Sequence, residues 1–288
     1  EQIEKLISKK TRAICAVNLL GNIPDLAMIK KIANKYNLKI IEDSADTLGA
    51  TINNKNTGYY SDISITSFYG SHIINGAGNG GMICFNDKRY YEKALLLRSW
   101  GRSSSLFREG SEKIENRFNI KVDGIPYDKK FVFECLGYNF EPAEISAAFA
   151  NVQLQKLKQN LDIRIRNFNY HNEFFKKYPR YFEVPKQFQY SKTAWLAYPI
   201  LIKKNKNFNR KNLQIYLEKN NIQTRVVFTG NINRQPGFKD IPKKTNKSGY
   251  PESDYVMRGG MLLACHHGLT EEMINHMHNS LNLFLKEY

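Results

Sequence analysis

The 288-residue chain contains no run of about 18 apolar residues, so no transmembrane helix is expected. Its opening, EQIEKLISKKTRAICAV, has no apolar core of the kind a signal peptide needs, which points to the cytoplasm. The first residue is not Met and falls inside a helical pattern, so the natural N-terminus is expected to lie upstream. Cysteine is scarce. Cys15, Cys84, Cys135 and Cys265 are far apart and form no C-x-x-C pair. That spacing argues against a zinc site or a disulfide framework, and buried, reduced thiols are the expectation. No internal repeat is present. Acidic residues are the minority, 27 against 43 Lys and Arg, for a net charge of +16. Such an excess invites a nucleic-acid reading. The basic residues are scattered, however, with KKNKNFNRK at 203–211 the densest group. The pattern therefore suits attraction of a polyanionic small ligand better than a nucleic-acid surface.

What is present is a globular composition, 42% hydrophobic and 24% charged. RAICAV at 12–17 reads as a buried strand. Pro24 and Asp25 open a helix with Leu26, Ile29, Ile32, Ala33 and Tyr36 on one face. LKIIED is a second strand, so strand, helix and strand form a βαβ unit with parallel pairing. DISITSF and GGMICF give two more strands, followed by a helix from about Asp87 to Ser99. Residues 102–134 are polar and aperiodic, which marks a long functional loop. Pro142 opens a long helix with Ile145, Ala148, Phe149, Val152, Leu157 and Leu161 as its apolar face. Its continuation to about Tyr178 reads as a polar bridge between domains. Beyond about residue 190, alternating strands and helices indicate a smaller α+β domain.

Chemistry concentrates at the strand ends. In open α/β sheets the carboxyl ends of strands face the ligand crevice. Asp43 ends KIIED there. Asp46 follows three residues later, Ser67 stands 24 residues after Asp43, and His72 stands five after Ser67. The glycine-rich NGAGNGG occupies 75–81.

This series, together with GYNFEPAEISAAFANVQLQKL at 137–157, resembles the DegT/DnrJ/EryC1/StrS sugar aminotransferase family. The resemblance implies fold type I of the pyridoxal-phosphate enzymes: a parallel-rich mixed sheet with helices on both faces, plus a smaller α+β C-terminal domain. It places part of the large cofactor-binding domain at 1–160, and a linking helix with the small domain at 161–288. By it, Asp43 holds the cofactor's pyridine nitrogen, Asp46 lies near its 3-oxygen and Ser67 binds its phosphate. Asn139 reaches the phosphate of a partner subunit in a homodimer. The family's lysine is replaced by His72. Lysine links covalently to pyridoxal phosphate; histidine cannot, yet remains a base near neutral pH. Histidine at this place resembles the 3-dehydratases of 3,6-dideoxyhexose synthesis.

Two kinds of these 3-dehydratases are implied. One takes GDP-sugars and regenerates pyridoxamine phosphate with glutamate. The other takes CDP-sugars and carries an iron–sulfur cluster. EDSADTLG, SFYGSH, RSWGR and TRVVFTGNINRQPGF resemble the CDP type, but no cysteine lies between Cys84 and Cys135, so no cluster is expected. The expected function is removal of the C3 hydroxyl of a nucleotide 4-keto-6-deoxyhexose, with His72 as base and no membrane or nucleic-acid partner. Arg225 and Arg234 are candidates for holding the substrate's diphosphate, against a reading as surface ion pairs. Trp100 is a candidate for the sugar pocket, against core packing. His266 and His267 are candidates for ligand contact, against the plain reading as a turn, and His276 and His278 fall on different sides of a C-terminal helix. The rival functions are an aminotransferase with a displaced lysine, an inactive cofactor- or nucleotide-binding homologue, and a nucleic-acid binder.

Overall fold

The structure is a computed structural model that describes residues 2–108, 113–246 and 248–288. Within the large domain, strand β1 (Ala13–Val17) leads through helix α1 (Leu26–Lys35) into β2 (Lys39–Asp43), followed by β3 (Ile63–Ser67) and β4 (Gly81–Phe85). The sheet order is β1-β2-β3-β4. The first three strands are parallel and β4 closes the edge antiparallel to β3. Asp25 caps α1 by accepting from Met28 N–H. Leu26, Ile29, Ile32 and Ala33 are buried, and Leu26, Ile29 and Ala33 share one apolar cluster with Ala16 and Ile40 of the sheet. Tyr36, expected on that face, is exposed and its hydroxyl donates to Glu4. The opposite face carries Val17, Ile41 and Ile65, all exposed in this chain.

After β4 come helix α2 (Lys88–Arg98) and the segment expected to be an aperiodic loop. Part of that segment is ordered instead: Ile120–Val122 pairs antiparallel with Ile125–Tyr127. Asp123 and Gly124 form the two-residue turn with φ of 48° and 82°, the left-handed geometry that suits a strand's own twist. The part of that loop at 109–112 lies outside the described residues.

Helix α3 (Glu144–Gln155) precedes α4 (Leu157–Phe175). The apolar stripe of α3 is uncovered within the chain, with Ile145 74% exposed and Phe149 and Val152 also exposed. Helix α4 is not the polar bridge that its composition suggests. Asn160, Arg164, Asn167, Phe168, His171, Phe174 and Phe175 are all buried. Three of the polar members reach backbone carbonyls. Arg164 Nη1 donates to Leu196 O (3.1 Å) and Asn167 Nδ2 donates to His266 O (2.9 Å). His171 Nε2 bonds Ala264 O (2.9 Å). Each such bond contributes about 0.5–1.5 kcal/mol, while leaving its buried group unpaired would cost more.

The small domain has β5 (Phe182–Glu183), β6 (Tyr198–Ile202), α5 (Arg210–Lys219), β7 (Arg225–Val226), α6 (Pro251–Gly259), β8 (Gly260–Leu263) and α7 (Glu271–Lys286). Its antiparallel sheet runs β7-β8-β6-β5. Phe168, Phe175, Trp195, Tyr198, Leu213, Leu217, Met261 and Leu281 belong to its core. Ser191–Lys192 pairs with Thr51–Ile52 and so ties the two domains together. The thiols depart from expectation: Cys265 is buried, but Cys15 and Cys84 are exposed on the sheet. No helix among the described residues is long and apolar enough to cross a membrane.

Candidate functional site

Sheet register brings two of the expected residues together. Asp43 pairs with Ile65, so their side chains share a face. Ser67, two residues beyond Ile65, returns to the same face. Asp43 and Ser67 therefore stand on one side of the sheet, at the carboxyl ends of neighbouring parallel strands. Asp43 Oδ1 accepts from Ala45 N–H (3.1 Å), which turns the chain as it leaves β2. Ser67 Oγ accepts from Tyr69 N–H (3.2 Å).

Asp46 and His72 form the second pair. His72 Nε2 lies 3.5 Å from Asp46 Oδ1. The other carboxylate oxygen, Oδ2, accepts from the Leu20 N–H at 2.8 Å. Leu20 adopts a left-handed φ of 59° to present that donor. Burial raises the Asp46 pKa above its ordinary value, against the Leu20 hydrogen bond and the facing His72, which lower it. His72 Nδ1 is buried and has no partner among the described residues. The glycine loop folds back under these groups: Phe68 N–H donates to Gly80 O, and Gly70 N–H to Gly78 O. Gly80, at φ 148° with a would-be Cβ 3.3 Å from Phe68 Cβ, allows that close return.

Behind Asp43, on the other face of β2, Glu42 is fully buried. It accepts from Asn18 Nδ2, Ser44 Oγ and Gly58 N–H, which fixes the β2 end without a cation.

His72 lines a cavity of about 990 Å³ between the domains, together with Leu20, Ser71, Arg164, Arg225 and His266. Arg225 comes from the start of β7, where it pairs with Leu262. The remaining candidates lie elsewhere. Arg234 is bound through two bonds to Asp254, which holds that carboxylate well below its usual range. Trp100 is partly exposed, with the Arg102 guanidinium 4.6 Å from its ring centre. Asn139 is exposed and bridges Ser99 through its backbone, away from the His72 cavity. His276 Nε2 bonds Asn220 O, whereas His278 turns inward to His171, so the two do face apart. No cluster of three or more potential metal ligands occurs among the described residues.

The sequence profile of the DegT/DnrJ/EryC1/StrS aminotransferase family matches residues 1–282. The chain belongs to that family. Among its curated relatives, the lipopolysaccharide biosynthesis protein RfbH of Salmonella typhimurium is 30% identical over 277 residues, 96% of this chain and 63% of the relative. The dTDP-4-dehydro-2,6-dideoxy-D-glucose 3-dehydratase of Saccharopolyspora spinosa is 29% identical over 99% of this chain and 62% of its own length. The chain thus spans under two thirds of these two DegT/DnrJ/EryC1/StrS relatives. Among solved structures, the E. coli GDP-4-keto-6-deoxy-D-mannose-3-dehydratase with bound hydrated PLP superposes with a TM-score of 0.84. It is 27% identical, over 97% of this chain and 69% of that one. The pyridoxal-phosphate fold that the family resemblance implies is therefore the fold observed.

Sequence reading missed Leu20 and Arg164. Leu20 contributes only a backbone N–H, for which a sequence carries no signal. Arg164 reads as one of several charges on a polar helix.

Proposed function

We propose that the complete protein is a vitamin B6-dependent 3-dehydratase of a nucleotide 4-keto-6-deoxyhexose, serving deoxysugar and lipopolysaccharide synthesis. The observation that carries this reading is a histidine, not a lysine, five residues after Ser67, held against Asp46 at 3.5 Å. The relatives named as 3-dehydratases support it.

The residues present fit pyridoxal or pyridoxamine phosphate. Asp43 and Ser67 share one sheet face at the strand ends, and the buried, unpartnered Nδ1 of His72 marks a polar atom in need of a neighbour. When bound, the cofactor supplies a protonated aromatic ring that takes up electron density as a carbon–oxygen bond breaks. Asp43 would keep the ring nitrogen protonated, and Ser67 would hold the phosphate. Nε2 faces Asp46, so Nδ1 is the ring nitrogen left without a partner among the described residues. That nitrogen would accept a proton from carbon and return it as the C3 hydroxyl leaves. Asp46 orients the ring for both steps. Arg225, across the cavity, would meet the substrate's anionic group. Hydrolysis, with glutamate as amino donor, would complete the reaction without an iron–sulfur cluster.

A second copy of the chain is the proposed partner. Leu136 is 96% exposed, and Phe140, Ile145 and Phe149 extend the same apolar stretch. Asn139 sits within it, as a residue that serves the neighbouring copy's cofactor would.

The test is product analysis with a panel of nucleotide 4-keto-6-deoxyhexoses and glutamate. The expected product has lost its C3 oxygen, and borohydride traps no lysine adduct of the cofactor. A 4-amino sugar as the sole product would overturn the dehydratase reading.

A further inference from the structure

The net charge of +16 is unevenly placed. Residues 176–288 carry 19 Lys and Arg against 8 Asp and Glu, whereas residues 1–175 carry 24 against 19. A composition uniformly rich in lysine would not give that split. Within the small domain the fold joins three basic segments. Lys203 Nζ donates to Pro179 O (2.9 Å) and its backbone N–H to Tyr181 O (2.8 Å), which lays 203–208 beside the turn at 176–181. Asn207 Nδ2 donates to Tyr288 O (2.9 Å), and Tyr178 Oη to Asn282 Oδ1 (2.5 Å), which adds the end of α7. Lys286 lies one helical turn beyond Asn282, on the same side of α7. Lys177, Arg180, Lys204, Lys206 and Lys286 are all exposed, and none belongs to an ion pair among the described residues. Lys176 is matched by Glu173 at 2.9 Å. Glu287 and the carboxylate of the last residue leave the balance positive.

We propose that this end of the small domain is a docking surface for a membrane of acidic lipids. Clusters of about four to eight Lys or Arg are what an anionic bilayer attracts. The three segments supply that number only when folded, which is why the scattered charges in the sequence led to an expectation of no membrane partner. A nucleic-acid strand calls for exposed rings on which bases stack. Here Tyr181, Phe208 and Phe284 are buried and Tyr178 is half-buried, so Tyr288 alone is exposed among the rings of these segments. A protein partner calls for a central apolar anchor, but the exposed large apolar side chains here are Leu283 and Tyr288 alone. Those two suit the boundary between headgroups and acyl chains. Met273, Met277 and His276 of α7 line the His72 cavity, whereas Lys286 stands 13 residues beyond Met273 on that helix, about 20 Å away. Docking through the basic end therefore leaves the cavity open. The surface uses no residue of the strand-end site and does not rest on the cofactor reading.

The experiment is co-sedimentation of the complete protein with vesicles of phosphatidylcholine alone and of a two-to-one mixture of phosphatidylcholine and phosphatidylglycerol. The expected result is binding to the mixed vesicles only, released at about 1 M salt, where the Debye length is about 3 Å. Each basic residue near an anionic bilayer raises affinity roughly five-fold. Lys204→Glu with Lys206→Glu, and separately Lys177→Glu with Lys286→Glu, should each weaken binding by roughly twenty-fold or more at an unchanged melting temperature. Lys10→Glu with Lys31→Glu, exposed positions of the large domain that change the net charge equally, should keep most of the binding. Equal affinity for both kinds of vesicle, or no binding to either, overturns the proposal. So does an equal loss in the large-domain variant, or tighter binding to duplex DNA than to the mixed vesicles at the same phosphate concentration.

Discussion

His72 Nε2 and Asp46 Oδ1 face each other at 3.5 Å, and Asp46 is itself fixed by the Leu20 N–H. The carboxylate is thus tied to the backbone on one side and orients the imidazole on the other. Asp46→Asn keeps an acceptor for Leu20 but loses the charge beside His72. Stability is expected to change by no more than about 1 kcal/mol. The turnover number should fall by roughly ten-fold or more with little change in KM, because ring orientation rather than substrate binding is lost. An equal rise in KM at unchanged turnover would assign Asp46 to substrate binding instead.

The pair formed by buried His171 and half-buried His278 should make stability pH-dependent. Their ring nitrogens share a hydrogen bond of 2.9 Å, and His278 stacks on Phe174 at 4.2 Å. Burial pushes both pKa values down to about 4. The unfolded chain, with imidazoles near 6.5, then binds more protons than the native state between these values. Stability contributed by the neutral pair is complete above about pH 6.5 and is lost as pH falls toward 4. Urea midpoints at pH 7.5 and 4.5 test this. His278→Gln should show a smaller drop between the two than the unaltered protein; an identical drop would contradict the account.

Two glycines with left-handed backbones should respond very differently to alanine. Gly101 (φ +80°) would place a Cβ 1.8 Å from Cys135 O, whereas Gly124 (φ +82°) has open space around it. Gly124→Ala carries only the conformational cost, about 1–2 kcal/mol. Gly101→Ala must also displace the backbone at Cys135, so its loss should be clearly larger. Thermal or urea unfolding of the two variants provides the comparison, and equal losses would show that the Gly101 contact is relieved cheaply.

Much of this was legible in the sequence, and the exceptions share a physical origin. The strand ends carrying Asp43 and Ser67 followed from apolar runs and turn residues, which are local signals. Asp123-Gly124 between β-branched residues was also a local signal, for the hairpin, but was submerged in a stretch read as polar loop. Helix α4 could not be read correctly from periodicity, because Arg164, Asn167 and His171 turn inward to carbonyls at 195–196 and 264–266, nearly a hundred residues away in two cases. The Asp46–Leu20 contact depends on a left-handed backbone at a leucine, for which no sequence rule exists. Arg234 was legible in the sequence as either a diphosphate contact or a surface ion pair; its commitment to Asp254 required the fold.

No iron–sulfur cluster should form. The sequence offers no cysteine between Cys84 and Cys135, and its four thiols are widely separated. Anaerobically purified complete protein should contain no stoichiometric iron or acid-labile sulfide. Iron and sulfide at cluster stoichiometry would show that ligands are gathered in some other way.

The central claim is that His72 is the base of a dehydration, and His72→Asn in the complete protein tests it most directly. An amide has a similar shape but cannot accept a proton at neutral pH. Cofactor retention, followed by absorbance, should be preserved through Asp43, Asp46 and Ser67. The rate of C3 deoxygenation should fall by about 10²–10⁴. His72→Lys should likewise lose hydroxyl removal while gaining a borohydride-reducible link to the cofactor. Deoxygenation by His72→Asn at the parental rate would contradict the account.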